Sequence, residues 1–208
     1  FRDPVFTFSN LAALLNYSAT FAVGYLLSLY LQVVRGLPPR HAGLLLLAQP
    51  LTMALLSPLA GRLSDRFQPR VPASLGMALT ALSLFLFALL GPATPLAVVV
   101  GTLLLIGVGF ALFSSPNTNA VMSAVDRRDY SVASAVLGTM RQLGQSLSMA
   151  ALALLTARTM GEARLGADNA MALLATQRQA FLLFGPLCVL GVLASLARGR
   201  VRRGEPLA

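Results

Sequence analysis

The sequence is poor in charged residues and lacks several residue types on which soluble proteins and enzymes depend. Only 11% of its 208 residues are charged and 56% are hydrophobic, whereas a soluble domain has roughly 25% charged residues. It has no lysine, no tryptophan, one cysteine (Cys188) and one histidine (His41). This composition excludes a soluble globular domain, and it excludes intrinsic disorder, which needs few apolar residues and much charge.

These absences also limit the chemistry of the chain. A single cysteine excludes an intrachain disulfide, and a single histidine provides neither a metal site nor a catalytic triad by itself. We find no nucleophile–base pair and no phosphate-binding loop, so the sequence predicts that the protein is not an enzyme and holds no cofactor or metal. The net charge of +9 comes from arginines scattered between apolar runs, which favours loops facing anionic lipid over binding of nucleic acid.

Long runs without charged residues organise the chain. A membrane-spanning helix needs about 20 predominantly apolar residues, and the longest charge-free stretch is divided by Gly91 and two prolines that follow it. We therefore predict an all-α membrane protein whose single six-helix transmembrane domain occupies residues 1–208. The six spans are predicted at residues 6–31, 42–60, 71–90, 96–115, 132–155 and 179–197.

The arginines between the spans predict the orientation in the membrane, because arginine-rich loops stay in the cytoplasm. Ten arginines lie on the side of both termini and five on the other side. The first group is Arg2, Arg62, Arg66, Arg70, Arg127, Arg128, Arg198, Arg200, Arg202 and Arg203, and the second is Arg35, Arg40, Arg158, Arg164 and Arg178. We expect a multi-pass protein of the cell (cytoplasmic) membrane with both termini in the cytoplasm.

Polar residues are distributed unevenly among the spans. Spans one, two and five carry Asn, Gln or Arg side chains, and span four ends in a polar segment at residues 114–119, while the interiors of spans three and six are almost wholly apolar. Because lipid rejects polar groups, we expect the first set at a polar centre and the second at the periphery. The order polar, polar, apolar occurs twice, which predicts two three-helix repeats.

The segment between spans two and three carries the most specific motif. It reads Gly-Arg-Leu-Ser-Asp-Arg-Phe-Gln-Pro-Arg over residues 61–70. We expect that the glycine ends the helix and that a short loop follows. The segment resembles motif A of the major facilitator superfamily, roughly G-x-L-x-D-R-x-G-R-[KR]. The matching positions are Gly61, Leu63, Asp65, Arg66 and Arg70, whereas Gln68 and Pro69 depart from the motif.

Two further stretches sharpen this resemblance. Residues 107–119, together with the segments at 132–135 and 139–144, resemble the fourteen-spanner drug:proton antiporters of the EmrB/QacA type. The resemblance implies the C-terminal six-helix half of such a transporter, with the N-terminal half as its missing partner, a small amphipathic substrate and a lipid bilayer around it. Because the chain begins at Phe1, we expect either a piece of a longer protein or a half-transporter.

Arg141 is the one charge within a span. It shares a helix face with Gln145, and lipid exposure at the bilayer centre would cost at least about 3 kcal/mol. We therefore expect it to face a substrate cavity, where it attracts an anion, pairs with a carboxylate from elsewhere or tunes a proton site. The alternative is an arginine that snorkels to the interface.

The other candidates for the substrate cavity are uncharged. Asn16 and Tyr17 lie near the middle of span one, although small residues beside them also fit close helix packing. Gln49 precedes a proline in span two. Asn117 and Asn119 belong to the segment at residues 115–119, which we interpret as a broken or kinked helix end, or as a plain terminus at the interface.

Together these features predict a secondary transporter that exports drug-like or amphipathic compounds by alternating access, coupled to protons. No Asp or Glu lies within any predicted span, so the proton-carrying acid is expected outside this chain. The alternatives are a facilitator-type transporter of a metabolite or lipid, and a non-transporting membrane scaffold.

The arginine asymmetry makes a prediction about topology. In a Cys188→Ala background, the single substitutions Ala163→Cys and Gly204→Cys place one thiol on each predicted side of the membrane. A membrane-impermeant maleimide should label position 163 in whole cells and label position 204 only after permeabilisation. Labelling of position 204 in intact cells would reverse the orientation and remove the basis for a cytoplasmic motif A.

Overall fold

A computed structural model of the chain describes residues 3–160 and 169–198, apart from the side chains of Asp65 and Met160. These residues form helices joined by short connections and include no strand. The helices are α1 (Pro4–Leu29), α2 (Pro39–Leu46), α3 (Ala48–Arg66), α4 (Arg70–Ala88), α5 (Leu96–Ser123), α6 (Tyr130–Met160) and α7 (Ala170–Ala197). The predicted all-helical fold is confirmed.

The ends of α1 follow from local chemistry. Asp3 caps the helix by accepting a hydrogen bond from the Phe6 backbone N–H at 3.1 Å, and Pro4 fits the first turn, where no donor is needed. At the other end α1 continues as one π-helical turn, Tyr30–Val34. The chain then reverses at Gly36, whose φ of 63° favours glycine.

Five helical segments of the described chain are long and apolar enough to cross a membrane. They are Pro4–Val34, Pro39–Ser64 (α2 and α3 together), Arg70–Ala88, Leu96–Ser123 and Ala170–Ala197. The sixth, α6, is long enough, but its sequence from Arg141 to Gln145 interrupts the apolar run. That α6 also crosses the membrane remains a prediction.

The helices form two layers. The order in the front layer is α3, α5, α1, α6, because α3 packs on α5, α5 touches α1, and α6 packs on α1. Behind them α4 packs on α5, α7 packs on α1, and α4 and α7 pack on each other. The helices of the two apolar spans, α4 and α7, therefore share one side of the bundle. The contact of α3 with α5 is mirrored by that of α6 with α1, as two three-helix repeats require.

The structure corrects two expectations about helix ends. The predicted loop at residues 61–70 is mostly helical, because α3 continues to Arg66 and the Phe67 N–H closes its last turn on the Leu63 carbonyl at 2.9 Å. Gly61 does not end the helix but lies inside α3 and faces α5, where a β-carbon would make an ordinary contact of 3.4 Å with Ser115 Oγ.

The second correction concerns residues 115–119, which were expected at a helix end. They lie inside α5, which ends at Ser123. Pro116 removes only one backbone donor, and α5 continues for almost two turns beyond the proline.

Glycine determines how closely α4 and α5 approach. A β-carbon at Gly109 would lie 2.6 Å from Thr80 Oγ1 and 2.8 Å from the Gly76 carbonyl oxygen. Real β-carbons essentially never come within 3.0 Å of such atoms. The backbones of α4 and α5 therefore touch at the Gly76–Gly109 crossing, as small residues permit in membrane bundles.

This crossing predicts opposite effects for two alanine substitutions on α5. Gly109→Ala forces α4 and α5 apart and should destabilise the protein by about 1–3 kcal/mol. Gly101→Ala meets no atom within 4 Å and should be neutral or stabilise by about 0.5–1 kcal/mol, because alanine favours helices. Thermal unfolding of the purified full-length protein in detergent measures both. Equal melting temperatures would mean that the crossing is not tightly packed.

Candidate functional site

The polar residues of this chain collect around the last two turns of α5. This region lies at the proximal end of the bundle, which we define as the end where α1, α4 and α6 begin and where α3, α5 and α7 finish. Because successive residues on a helix point about 100° apart, residues 115–119 reach different neighbours. Ser115 and Asn119 face α3, where Ser115 lies against Gly61 and Asn119 donates to Ser64 Oγ at 3.3 Å. Asn117 faces α1 and donates to the Ser9 carbonyl at 3.1 Å. Thr118 faces α6 and accepts a hydrogen bond from Arg141.

The first group of side chains, which we name the Arg141 cluster, comprises Tyr17, Phe110, Thr118 and Arg141. The Arg141 Nη2 donates to Thr118 Oγ1 at 2.8 Å, and its guanidinium carbon lies 5.6 Å from the centre of the Tyr17 ring. The rings of Tyr17 and Phe110 pack edge to face, with their centroids 6.0 Å apart and their planes at 80°. The cluster thus joins α6, α1 and α5.

Close packing of α6 on α1 holds the Arg141 cluster in place. A β-carbon at Gly144 would lie 2.6 Å from the Leu14 carbonyl oxygen and 3.0 Å from Tyr17 Cβ. The α6 backbone therefore rests on α1 one turn from Arg141, which brings the guanidinium over the Tyr17 ring. A cation in this position is attracted by the negative face of the ring.

The Arg141 cluster is positively charged and has unused donors. Arg141 and Tyr17 are half-buried, and within the described residues the Arg141 Nε is buried without a hydrogen-bond partner. The nearest hydrogen-bonding group, Thr118, is neutral, and none of the predicted spans contains an acidic residue. A guanidinium has five N–H donors and no acceptor, so this site can bind an acceptor or an anion.

The structure brings together some of the predicted cavity residues and separates others. Tyr17 and Arg141 are in contact, and half-buried Gln145 follows one turn along α6. Asn16 is fully buried on another face of α1, where its Oδ1 lies 4.0 Å from Cys188 Sγ on α7. Gln49 is half-buried at the contact of α3 with Gly107. Asn16 and Gln49 have no contact that places them in the Arg141 cluster.

Asn117 and Asn119 also face away from Arg141. Asn117 is buried against α1 and α7, and Asn119 is bound to Ser64 near the end of α3. Of the motif A positions, Gly61 packs on α5, Leu63 and Arg66 are exposed, and half-buried Arg70 begins α4. The side chain of Asp65 lies outside the described residues.

A second group, the Arg198 cluster, was missed by the sequence analysis. Arg198 follows the last residue of α7 and is 0% exposed. Its Nε donates to the Ser195 carbonyl at 3.0 Å, and its Nη1 donates to Ser9 Oγ and Asn117 Oδ1, both at 3.3 Å. Its Nη2 donates to Ser195 Oγ, which also accepts from Ser74 on α4 at 2.8 Å. The Arg198 cluster therefore joins α1, α4, α5 and α7.

The sequence analysis counted Arg198 among the arginines outside the spans, which it expected at the membrane surface facing anionic lipid, and for this residue that expectation is wrong because the side chain is buried. Arg200, Arg202 and Arg203 lie outside the described residues. Burial lowers the pKa of Arg198 to about 10, so it stays protonated at neutral pH. It lies at the C-terminus of α7, where the helix dipole favours a cation. Isolated serines or asparagines near the proximal ends of α1, α4, α5 and α7 were the only signal of this cluster in the sequence.

Comparison with known proteins gives a consistent family match. The family model described as Major Facilitator Superfamily matches residues 9–207. The uncharacterized transporter YebQ of Escherichia coli is 36% identical over 155 residues, which cover 74% of this chain and 34% of that protein. The riboflavin transporter RibZ of Clostridioides difficile is 26% identical over 196 residues, covering 94% and 43% respectively.

A third relative is named for drug resistance. The multidrug resistance protein Stp of Mycobacterium tuberculosis is 31% identical over 152 residues, which cover 73% of this chain and 28% of that protein. The matched region thus spans between 28% and 43% of the length of these three curated relatives.

The Arg198 cluster makes a prediction that separates a buried clamp from a surface anchor. Arg198→Ala leaves Asn117 and Ser9 without a donor and opens a cavity between four helices, and it should destabilise the protein by about 1–3 kcal/mol. Arg178→Ala removes an exposed arginine from the same helix and should change stability by less than about 0.5 kcal/mol. Thermal unfolding of the full-length protein in detergent compares them. Equal melting temperatures of the two variants would mean that Arg198 is a surface residue and not a buried link between helices.

Proposed function

The chain belongs to the major facilitator superfamily, and we propose that it is the C-terminal half of a secondary transporter that exports drug-like or amphipathic compounds by alternating access. It is a multi-pass membrane protein of a transporter family, and that family does not consist of enzymes. The proposal adds three elements: the direction of transport, coupling to protons as an antiporter, and a place in the cytoplasmic (inner) membrane with both termini in the cytoplasm.

One observation carries the proposal: α6 has a polar face that lacks cover. Its exposed residues include Ser134, Thr139, Gln142 and Ser146, and half-buried Arg141 and Gln145 lie on the same helix. Lipid would not solvate these groups. A water-filled cavity or a second half of the transporter would, and α6 stands at one edge of the front layer, where such a half can dock.

The other edge of the front layer supports the same arrangement. The helix α3 packs mainly on α5, and it exposes the large side chains Leu51, Leu55 and Leu59. The chain also spans about a third of the length of its curated relatives. We infer that the missing N-terminal half covers the front layer and that the substrate cavity lies between the halves.

Proton coupling then requires a titratable group in the other half. The predicted spans contain no acidic residue, and arginine does not release its proton in the physiological range. We therefore propose that the membrane carboxylate lies in the N-terminal half. Arg141 would bind substrate or set the charge around that carboxylate.

A facilitator that moves a metabolite is the second candidate. It is favoured by the riboflavin transporter RibZ, whose match extends over 94% of this chain. A non-transporting scaffold is a weaker candidate, because a scaffold needs neither a polar face on α6 nor a half-buried arginine within a span.

Dye accumulation in cells tests the proposed direction. The full-length transporter, produced in a host that lacks its own major exporters, should lower the steady-state content of fluorescein, rhodamine 123 or riboflavin. A protonophore should abolish the effect. Increased uptake of riboflavin would favour the metabolite facilitator. Equal content of all three compounds with and without the transporter, at verified membrane abundance, would contradict a transport role.

In the same assay Asp65→Asn tests the motif A segment. Asp65 lies in the last turn of α3. Gly61 and Ser64, which precede it, contact α5, and the connection to α4 follows it. A carboxylate contact made in one conformational state is worth about 1–3 kcal/mol, so its loss should slow export about tenfold without lowering membrane abundance. The matched control is Asp126→Asn, which alters an exposed aspartate between α5 and α6. Similar export by both variants would count against a gating role for Asp65.

A further inference from the structure

We propose that the Arg141 cluster selects planar aromatic substrates that carry a negative charge or carbonyl acceptors, and disfavours aromatic cations. This inference rests on the proposed transport function, because it assigns a substrate class to the cavity face of the same half. The observations that carry it are the charge of the site, the donors that remain unused and the two aromatic rings beside them.

The charge of the site is the first step. The guanidinium of Arg141 is half-buried and bonded to a neutral hydroxyl. At the effective dielectric constant of a protein surface, two like charges about 4 Å apart repel each other, and opposite charges attract each other by a similar amount. A cationic substrate placed on this face is therefore disfavoured, and an anionic substrate is favoured.

The unused donors are the second step. One donor of Arg141 is spent on Thr118, and in the described part of the chain its Nε has no partner. Thr118 uses its own hydroxyl proton on the Ser114 carbonyl, so it meets Arg141 only as an acceptor. The guanidinium is thus held by a single bond to protein, and because its Nε is buried, a carboxylate or a carbonyl would meet the remaining Nη donors.

The aromatic rings are the third step. Tyr17 lies under the guanidinium, and Phe110 meets Tyr17 edge to face. Tyr17 is half-buried, so part of this residue remains accessible. Aromatic pairs attract each other beyond the burial of area, so a flat ring that reaches Arg141 gains further from Tyr17. Charge and shape together specify an acceptor-bearing aromatic molecule.

The competing interpretation is that a carboxylate of the other half neutralises Arg141. Such a pair would use the free donors and leave the cluster without net charge, so the site would no longer discriminate by charge. Arg141→Ala would then expose an acid, which would improve the binding of cations and weaken that of anions by repulsion. The two interpretations therefore differ in the dye preference of the unmodified protein, because a neutralised cluster would not favour the anionic probe.

Two dyes with the same xanthene scaffold and opposite charge provide the test. Binding of anionic fluorescein and cationic rhodamine 123 is measured by fluorescence anisotropy on the purified full-length transporter. Fluorescein should bind about tenfold or more tightly than rhodamine 123. Arg141→Ala should weaken fluorescein binding at least about tenfold, the effect of losing a hydrogen bond to a charged group, and leave rhodamine 123 unchanged or improved.

Two further variants make the result specific. Arg141→Lys keeps the charge but loses the planar donors, so its affinity for fluorescein should fall between those of the parent and Arg141→Ala. Arg128→Ala removes an arginine whose side chain is 81% exposed at the start of α6 and should bind both dyes as the parent does. The comparison of the two dyes on the unmodified protein needs no variant, so it decides the question even where Arg141→Ala fails to fold.

The outcomes separate this inference from the proposed function. Binding of fluorescein that depends on Arg141, without transport of any dye, would support the inference and overturn the transporter role. A preference for rhodamine 123, binding of fluorescein that is independent of Arg141, or binding of neither dye would overturn the inference and leave the export result to stand by itself.

Discussion

The need to satisfy polar groups away from water governs this molecule. A hydrocarbon environment offers no hydrogen bonds, so each polar side chain of the bundle must find a partner on its own or a neighbouring helix. Most do so locally, as when Thr20 and Thr80 donate to carbonyls one turn earlier. The proximal end of α5 is different, because its asparagines and Thr118 bind to side chains and backbone of other helices. That segment fixes how four of its neighbours are arranged.

Arg141 and Arg198 show how one residue type serves two purposes. Arg198 is fully enclosed, and its guanidinium binds serine and asparagine groups from three helices. Arg141 has one bond to a hydroxyl and one ring beneath it. A cation with most of its donors occupied stabilises a fixed arrangement of helices. A cation with donors left over remains available to something that enters from the front layer.

The sequence was sufficient for the class, the helical segments and the family, because long apolar runs and motif A depend on composition and order alone. It was insufficient for side-chain direction. Asn16 and Tyr17 are adjacent, yet the 100° step of a helix turns one towards Cys188 on α7 and the other towards Arg141. Gly61 and Pro116 were interpreted as signs of a helix end, whereas both residues lie inside helices that continue beyond them. Arg198 was hidden because its partners come from distant parts of the chain.

The arrangement of α5 also connects the motif A segment to the Arg141 cluster. Asn119 binds Ser64 near the end of α3, and the preceding residue, Thr118, accepts from Arg141 on α6. A helix is rigid over such a short distance, so a shift of the α3 end that draws Asn119 with it also moves the acceptor of Arg141. Under the proposed function, substrate bound at Arg141 and the position of the motif A segment would then both affect the position of the end of α5. By linkage, each would change the equilibrium of the other by the same free energy.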